Sequence, residues 1–284
     1  MRLRIRQNLL ICVPLLLSVA VWLPLAFLVS GSLSGKQEIS ELLGSALISG
    51  KEGYADWHLL PQYPTLRSYV ELLLDSPEFF VMFWNSLWLT AGSLVGQLLV
   101  ALPAAWWFAR AGTRLGRWLF TAYIILMIMP FQVTMVSNYF ALNTAGLLDT
   151  HWSIVLPMTF STFPVYIMYR FFKAIPQSMI EAAQIDGASN FQIFFHIGLP
   201  LGKAGIASAM VLGFLEYWNL IEQPMTFLKT KSRWPLSLFL PEVSAANLGI
   251  LFAASVIILF PSILVFLFGQ EYLEKGLAGS GVKE

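Results

Sequence analysis

Long apolar runs alternate with short polar intervals along the whole chain. Six runs are long enough to cross about 30 Å of hydrocarbon as helices of roughly 20 residues. They lie near 9–31, 81–109, 119–142, 152–172, 204–226 and 248–269. Only the short stretch 143–151 parts the third from the fourth. The first run follows Arg2, Arg4 and Arg6 as a secretory signal would, but its apolar core is too long and no small-residue cleavage site follows, so it reads as a retained span. Between spans one and two, residues 32–80 carry Pro61, Pro64, Pro77 and Asp56-Trp57-His58. That segment is too short for a core of its own, and a few short interfacial helices capping the outer mouth are expected. The pattern predicts an all-α membrane protein with 1–284 forming a single transmembrane domain.

Composition agrees. Charged residues make up 12% and hydrophobic residues 57% of the chain, against about 25% charged in soluble domains, and mean hydropathy is +0.69. Lipid is the solvent for most of the surface. A net charge of +1 gives no footprint for nucleic acid. The single cysteine, Cys12, lies in an apolar run and reads as a small buried residue.

Lysine and arginine placement sets the orientation. With the N-terminus inside, 11 basic residues fall in cytoplasmic segments (Arg2, Arg4, Arg6, Arg110, Arg114, Arg117, Arg170, Lys173, Lys203, Lys275 and Lys283), against 6 in the longer outer segments. Both termini are then cytoplasmic. Trp106, Trp107 and Trp118 bracket the second cytoplasmic loop at the level of an interfacial aromatic belt. Lys229, Lys231 and Arg233, followed by Trp234, break the rule on the outer side, which marks that loop as a candidate partner contact.

The cytoplasmic segment 173–203 can be read from capping rules. Pro176 suits a first helical turn, and residues 177–186 contain no breaker before Gly187, a natural left-handed stop. Ser189 with Gln192 forms a capping-box signature for a second short helix, rich in Phe and Ile, expected to end before Pro200. The result is helix, glycine turn, helix, with Ala182 and Ala183 leaving a smooth face for another protein.

Within this segment Glu181, Ala182, Ala183, Asp186, Gly187, Ile197, Leu199 and Pro200 stand in a specific spacing. It closely resembles the EAA loop of ABC importer membrane subunits. Asn85-Ser86-Leu87, 129–134, Gly146-Leu147-Leu148-Asp149-Thr150 with Leu156-Pro157, 171–176 and the glycine-rich tail 276–283 resemble the carbohydrate, maltose-permease type of that family. The resemblance covers roughly residues 65–284. It implies a type I importer fold of six transmembrane helices in the bacterial cytoplasmic membrane, importing a carbohydrate, with an oligosaccharide favoured. It also implies a second related permease subunit, two cytoplasmic ATPase subunits that bind ATP and magnesium, and an extracytoplasmic solute-binding protein. The loop would dock into a cleft on the ATPase.

Polar groups inside spans are costly and default to functional candidates. On the fifth span Glu216, Asn219 and Gln223 fall within about 60° of one another on a helical projection. Gly205, Ala209 and Gly213 make a small-residue packing stripe on nearly the same face. This polar set is expected to line the pathway or the seam with a partner subunit. Asn85, Gln97, Gln132 and Asn138 read as helix-packing contacts. His58, His151 and His196 show no metal spacing. Residues 44–51 have the wrong length for a phosphate loop, and Glu52 stands where it requires Ser or Thr. No paired catalytic groups appear, so the chain is not expected to be an enzyme or to hold a cofactor. Two rival readings stay open: the same fold carrying a peptide, polyol or phosphodiester, and a self-sufficient secondary transporter or channel.

Overall fold

The computed structural model describes residues 2–47, 60–239 and 247–281. The phosphate-loop-like end at 48–51, Asp56-Trp57-His58 and Lys283 lie outside the described residues, as do the side chains of Cys12 and Lys275.

Every regular element among the described residues is helical. In chain order these are α1 (Arg2–Leu33), α2 (Lys36–Leu47), α3 (Arg67–Leu74), α4 (Pro77–Arg110), α5 (Arg114–Ile128), α6 (Phe131–Thr144) and α7 (Trp152–Thr159). There follow α8 (Thr162–Ala174), α9 (Gln177–Ile185), α10 (Asn190–Ile193), α11 (Leu199–Trp218), α12 (Glu222–Phe227) and α13 (Leu248–Gly281). Among the described residues, four unbroken stretches suit a membrane by length and hydropathy: Val13–Leu33, Pro77–Arg110, Asn190–Trp218 and Leu248–Glu274.

The expected third and fourth spans are each interrupted. Helices α5 and α6 meet at 104°. Pro130 offers no N–H, and it forces Met129 into an extended conformation (φ −69°, ψ 123°), which ends α5. The chain between α7 and α8 turns at Phe160 and Ser161, where Ser161 is extended. The fifth span also stops early, at Trp218, and restarts as the short α12.

Contacts divide the chain into two compact units. The first comprises Met1–Phe80 with Phe239–Phe260. Its core includes Ile39, Leu72 and Phe79. The Phe252 ring packs on Gly31 and against Phe27. The Ser32 and Tyr69 hydroxyls hydrogen-bond at 2.8 Å. Helices α2 and α3 are the short helices expected between the first two spans, and Glu71 ties them to each other by pairing with Lys36 at 2.7 Å and Arg67 at 2.8 Å. Those two hydrogen-bonded cations hold the Glu71 carboxyl below its ordinary value.

The second unit comprises Val81–Leu238 with Pro261–Glu284. One core cluster joins Ala101, Ala105 and Ala109 of α4 to Val165, Met168 and Phe172 of α8 and Ala209 of α11. Helices α8 and α11 pack together with Gly205 against the Phe171 ring and Gly202 against the Phe172 ring. With no aqueous driving force inside lipid, small residues permit that approach and dispersion contacts hold it. Ser86, Thr90, Ser93 and Gln97 share one buried face of α4. There the Gln97 amide donates to the Met158 carbonyl at 3.2 Å and bonds the Tyr217 hydroxyl.

Candidate functional site

The segment from Pro176 to Pro200 folds as an elbow. Helix α9 ends in a Schellman turn: the Ala188 N–H donates to the Ala183 carbonyl at 2.9 Å, and the Gly187 N–H to that of Gln184 at 3.1 Å. Gly187 sits at φ +84°, the conformation this turn demands. The Ser189 side chain then accepts from the Gln192 N–H at 3.3 Å, while the Gln192 side chain accepts from the Ser189 N–H at 2.8 Å, completing the capping box of α10.

The second helix does not end before Pro200 as the sequence led us to expect. One π turn, Phe194–Gly198, fuses α10 to α11, and the Leu199 N–H reaches back five residues to the Phe194 carbonyl. Proline clashes with the carbonyl four residues earlier in a regular helix. The extra residue of the π turn opens the helix just ahead of the ring, so Pro200 fits the first turn of α11 without breaking the rod.

Several side chains lock the elbow to the bundle. Ile180 and Ile193 are buried in the α4–α8–α11 core, and Ala183, Ile197 and Leu199 pack against it. Trp106 lies edge-on to Phe172 at 5.4 Å and tilted on Phe194 at 5.6 Å, and its ring occupies the space beside Gly198. Arg110, 4.8 Å above Trp106, donates to the Phe172 carbonyl at 2.8 Å and to Ile175 and the Gln177 side chain more weakly. It thereby caps the end of α8 with a cation, where the helix dipole is negative. The pattern residues thus fall into two groups. Ala183, Ile197 and Leu199 hold the elbow in place, whereas Glu181, Ala182, Asp186, Gly187 and Pro200 face outward. Beside them Ile185 is 86% exposed and Phe191 71% exposed, with the Phe195 ring tilted against Phe191 at 4.5 Å. A shallow pocket of about 310 Å³ opens between Asp186, Gly187, Gln192 and His196.

The polar set on the fifth span is rearranged. Gly205, Ala209 and Gly213 are buried as a packing stripe. Glu216 and Asn219 are exposed, and the Asn219 amide caps α11 by donating to the Leu215 carbonyl at 2.8 Å. Because α11 ends at Trp218, the 3.6-residue projection fails beyond it, and Gln223 is buried on α12. Glu222 instead accepts from Gln132 at 2.9 Å.

The loop after α12 is clamped. The Asp149 carboxylate accepts from the Lys229 and Thr230 N–H groups, both at 2.9 Å, and from the Thr230 hydroxyl at 2.6 Å. It also pairs with Arg233 at 3.0 Å, and the Arg233 guanidinium bonds the Asp149 carbonyl. These donors, led by Thr230, hold its carboxyl down at about 2. Asn85 donates to the carbonyls of Ser232 and Trp234, at 2.8 and 3.0 Å, and the Ser86 hydroxyl accepts from the Leu236 N–H at 2.7 Å. His151 lies half-buried beside Arg233, and burial first and that charge second push its imidazole toward the neutral form. Arg233 and Trp234, read from sequence as candidate contacts for a partner, are therefore committed to the loop's own structure. Lys229 and Lys231 remain exposed. The sequence reading missed Asp149 as an anchor. Its signal was isolation: no other Asp or Glu occurs between Glu78 and Glu181.

Comparison with known proteins agrees with this architecture. Residues 98–279 match the family described as binding-protein-dependent transport system inner membrane component. A "Probable ABC transporter permease protein" of Pyrococcus horikoshii is 32% identical over 235 residues, covering 80% of this chain and 85% of the relative. The lactose transport system permease protein LacG of Rhizobium radiobacter is 29% identical over 70% of this chain and 74% of its own length. The arabinooligosaccharides transport system permease protein AraQ of Bacillus subtilis is 27% identical over 95% and 93%. In fold, the chain resembles one in the crystal structure of a bacterial ABC transporter involved in import of the acidic polysaccharide alginate, with a TM-score of 0.79 at 23% identity, covering 95% of this chain and 96% of that one. It also resembles a chain of an alginate transporter in complex with its pentasaccharide-bound periplasmic protein, with a TM-score of 0.61 at 19% identity and 94% coverage of both. Fused elbow, small-residue helix packing and family match converge: this chain is a multi-pass membrane protein and belongs to the binding-protein-dependent transport system inner membrane components, the permeases of ABC importers.

Proposed function

We propose that the chain is one of two related permease subunits of an importer that takes up a carbohydrate, favouring an oligosaccharide. The observation that carries this reading is the elbow. It presents Glu181, Ala182, Ile185 and Phe191 outward while Ile180, Ile193 and Trp106 weld it to three spans. An isoleucine as exposed as Ile185 gains about 1.5–3 kcal/mol on full burial, which suits a docking face. Its partner is a cytoplasmic ATPase, present in two copies, on which ATP and magnesium bind. Both termini of this chain are cytoplasmic, and Glu181, Ala182, Asp186 and Gly187 form the contact. ATPase closure displaces the elbow and biases the two access states of the cavity.

Glu216 and Asn219 line the translocation pathway or the seam with the second permease, where water, a polar partner or solute hydroxyls offset the cost of a carboxylate. Gln223 supports that region from within. Lys229 and Lys231 touch the extracytoplasmic binding protein from a loop that Asp149, Arg233 and Trp234 hold in shape. The sugar names of LacG and AraQ and the alginate transporters support the solute class. The test is uptake of radiolabelled oligosaccharide into proteoliposomes that hold both permeases, with and without the ATPase and the binding protein. Uptake should need both. Uptake without the ATPase would establish a secondary transporter or channel instead, and transport of peptides or polyols but no sugar would replace the solute class.

A further inference from the structure

We propose that Arg114, Arg117 and Trp118 form a binding site for the phosphate of an anionic phospholipid headgroup in the cytoplasmic leaflet. The leaflet assignment rests on the orientation proposed above.

Arg114, Arg117, Trp118 and Thr121 recur at three- and four-residue steps on α5 and so form one stripe. They line a surface pocket of about 420 Å³. Further along the same helix face, Ile125 and Ile128 are exposed. At 1.5 Å per residue, Trp118 lies about 6 Å and Ile128 about 21 Å along the axis from Arg114. The stripe thus passes from two cations, through a 74% exposed indole, to bare hydrocarbon-suited side chains. That order matches the profile of a leaflet from phosphate to acyl chain, with tryptophan at the headgroup boundary.

Among the described residues, neither arginine has an anionic partner. The first turn of α5 contains no acidic residue, and the nearest carboxylates in sequence are Glu78 and Asp149. Arg110 and Lys173, also at this end of the bundle, point at backbone carbonyls of Phe172 and Ala109 and are already used. A docked protein would suit the two cations but not the apolar continuation of the stripe, which belongs inside the bilayer. A guanidinium pair over a phosphodiester uses both halves of the pocket.

Each arginine should favour an anionic over a zwitterionic headgroup about fivefold, and the pair about 30-fold. The assembled transporter is placed in nanodiscs of mixed phosphatidylcholine and phosphatidylglycerol, and the lipids retained after detergent extraction are counted by native mass spectrometry. Arg114→Gln with Arg117→Gln should cut the preference for phosphatidylglycerol by about 30-fold, while the double lysine variant keeps most of it. Three results overturn the proposal, and a fourth overturns its leaflet assignment alone. One is unchanged phosphatidylglycerol retention in the glutamine variant. Another is displacement of the lipid by inorganic phosphate, which would make this a site for soluble anions. A third is loss of the ATPase with lipid retention unaltered, which would make it a protein contact. The last is labelling of a Gly112→Cys probe, at a position with open space around it, only from outside, which would remove the leaflet assignment while leaving lipid binding standing.

Discussion

Gly187→Ala isolates the turn of the elbow. A methyl group added there meets no atom within 4 Å, so the substitution introduces no clash. Its cost is conformational. At φ +84° an L-residue with a Cβ is strained by about 1–2 kcal/mol. That strain falls on the turn whose two hydrogen bonds, Ala188 to Ala183 and Gly187 to Gln184, close α9. If it is released by opening the turn, the local opening equilibrium rises about 5- to 30-fold. Hydrogen exchange over residues 183–190 should accelerate by that factor in the assembled complex, while the peptide covering the α8–α11 packing at Gly202 and Gly205 stays unchanged. Oligosaccharide uptake per ATP hydrolysed should fall with it. Gly187→Asn should recover most of the protection, because asparagine tolerates the left-handed region. Gly187→Pro, which also removes the N–H donated to Gln184, should abolish uptake while the protein still inserts. Wild-type exchange rates in Gly187→Ala, or equal damage from Asn and Ala, would refute the reasoning.

Three further outcomes are expected. A cysteine replacing exposed Gln184 in a Cys12→Ser background should be labelled only from the cytoplasmic side, and external labelling would sink both the orientation and the ATPase contact. Glu216→Gln should transport normally whereas Glu216→Leu should impair uptake more than ATP hydrolysis, and a Leu variant with normal uptake would remove Glu216 from the pathway or seam. Asp149→Asn should loosen the outer loop, seen as faster proteolysis at Lys229 and Lys231, whereas neutralising only those two lysines should leave the loop intact and weaken stimulation of the ATPase by loaded binding protein at low salt. Folding lowers the Asp149 carboxyl from 3.8 to about 2, so its contribution is complete at neutral pH, begins to fade below about 4 and is lost as pH falls through about 2; loop cleavage that rises instead between pH 6 and 8 would contradict the clamp.

What sequence revealed of this fold was what neighbours along the chain decide. Apolar length located α4, α11 and α13, but the third span was expected to run straight through Pro130, although that residue itself marks the break. The elbow was legible because Gly187, Ser189 and Gln192 each act over three to five residues. The stop expected at Pro200 was a sound local inference that an inserted residue in the π turn overrides. The break after Trp218 also carries a marker, Pro224, which cannot continue a helix through Leu220, and the polar run Asn219, Glu222 and Gln223 precedes it; the expected span ran through both. The projection that grouped Gln223 with Glu216 crossed that boundary. Least legible was the outer clamp, where Asp149 serves residues about 80 positions later and Asn85 serves residues nearly 150 positions later. Such pairings depend on the assembled bundle, and the family-like stretches at Asn85 and Asp149 gain a common physical meaning only there.

The π turn has a mechanical consequence. By sparing the helix at Pro200, it makes residues 190–218 a single beam of 29 residues, about 43 Å long. A tether would absorb a push at Asn190 within a few residues, but a beam carries it the full distance. Tilting this one by about 10° about its Asn190 end would swing the Trp218 end by about 7.5 Å, close to the spacing of two packed helices. Glu216 rides within a turn of that far end. In the proposed importer, a small rotation at the Asn190 end would thereby be geared up into a movement wide enough to open or shut a passage for a solute.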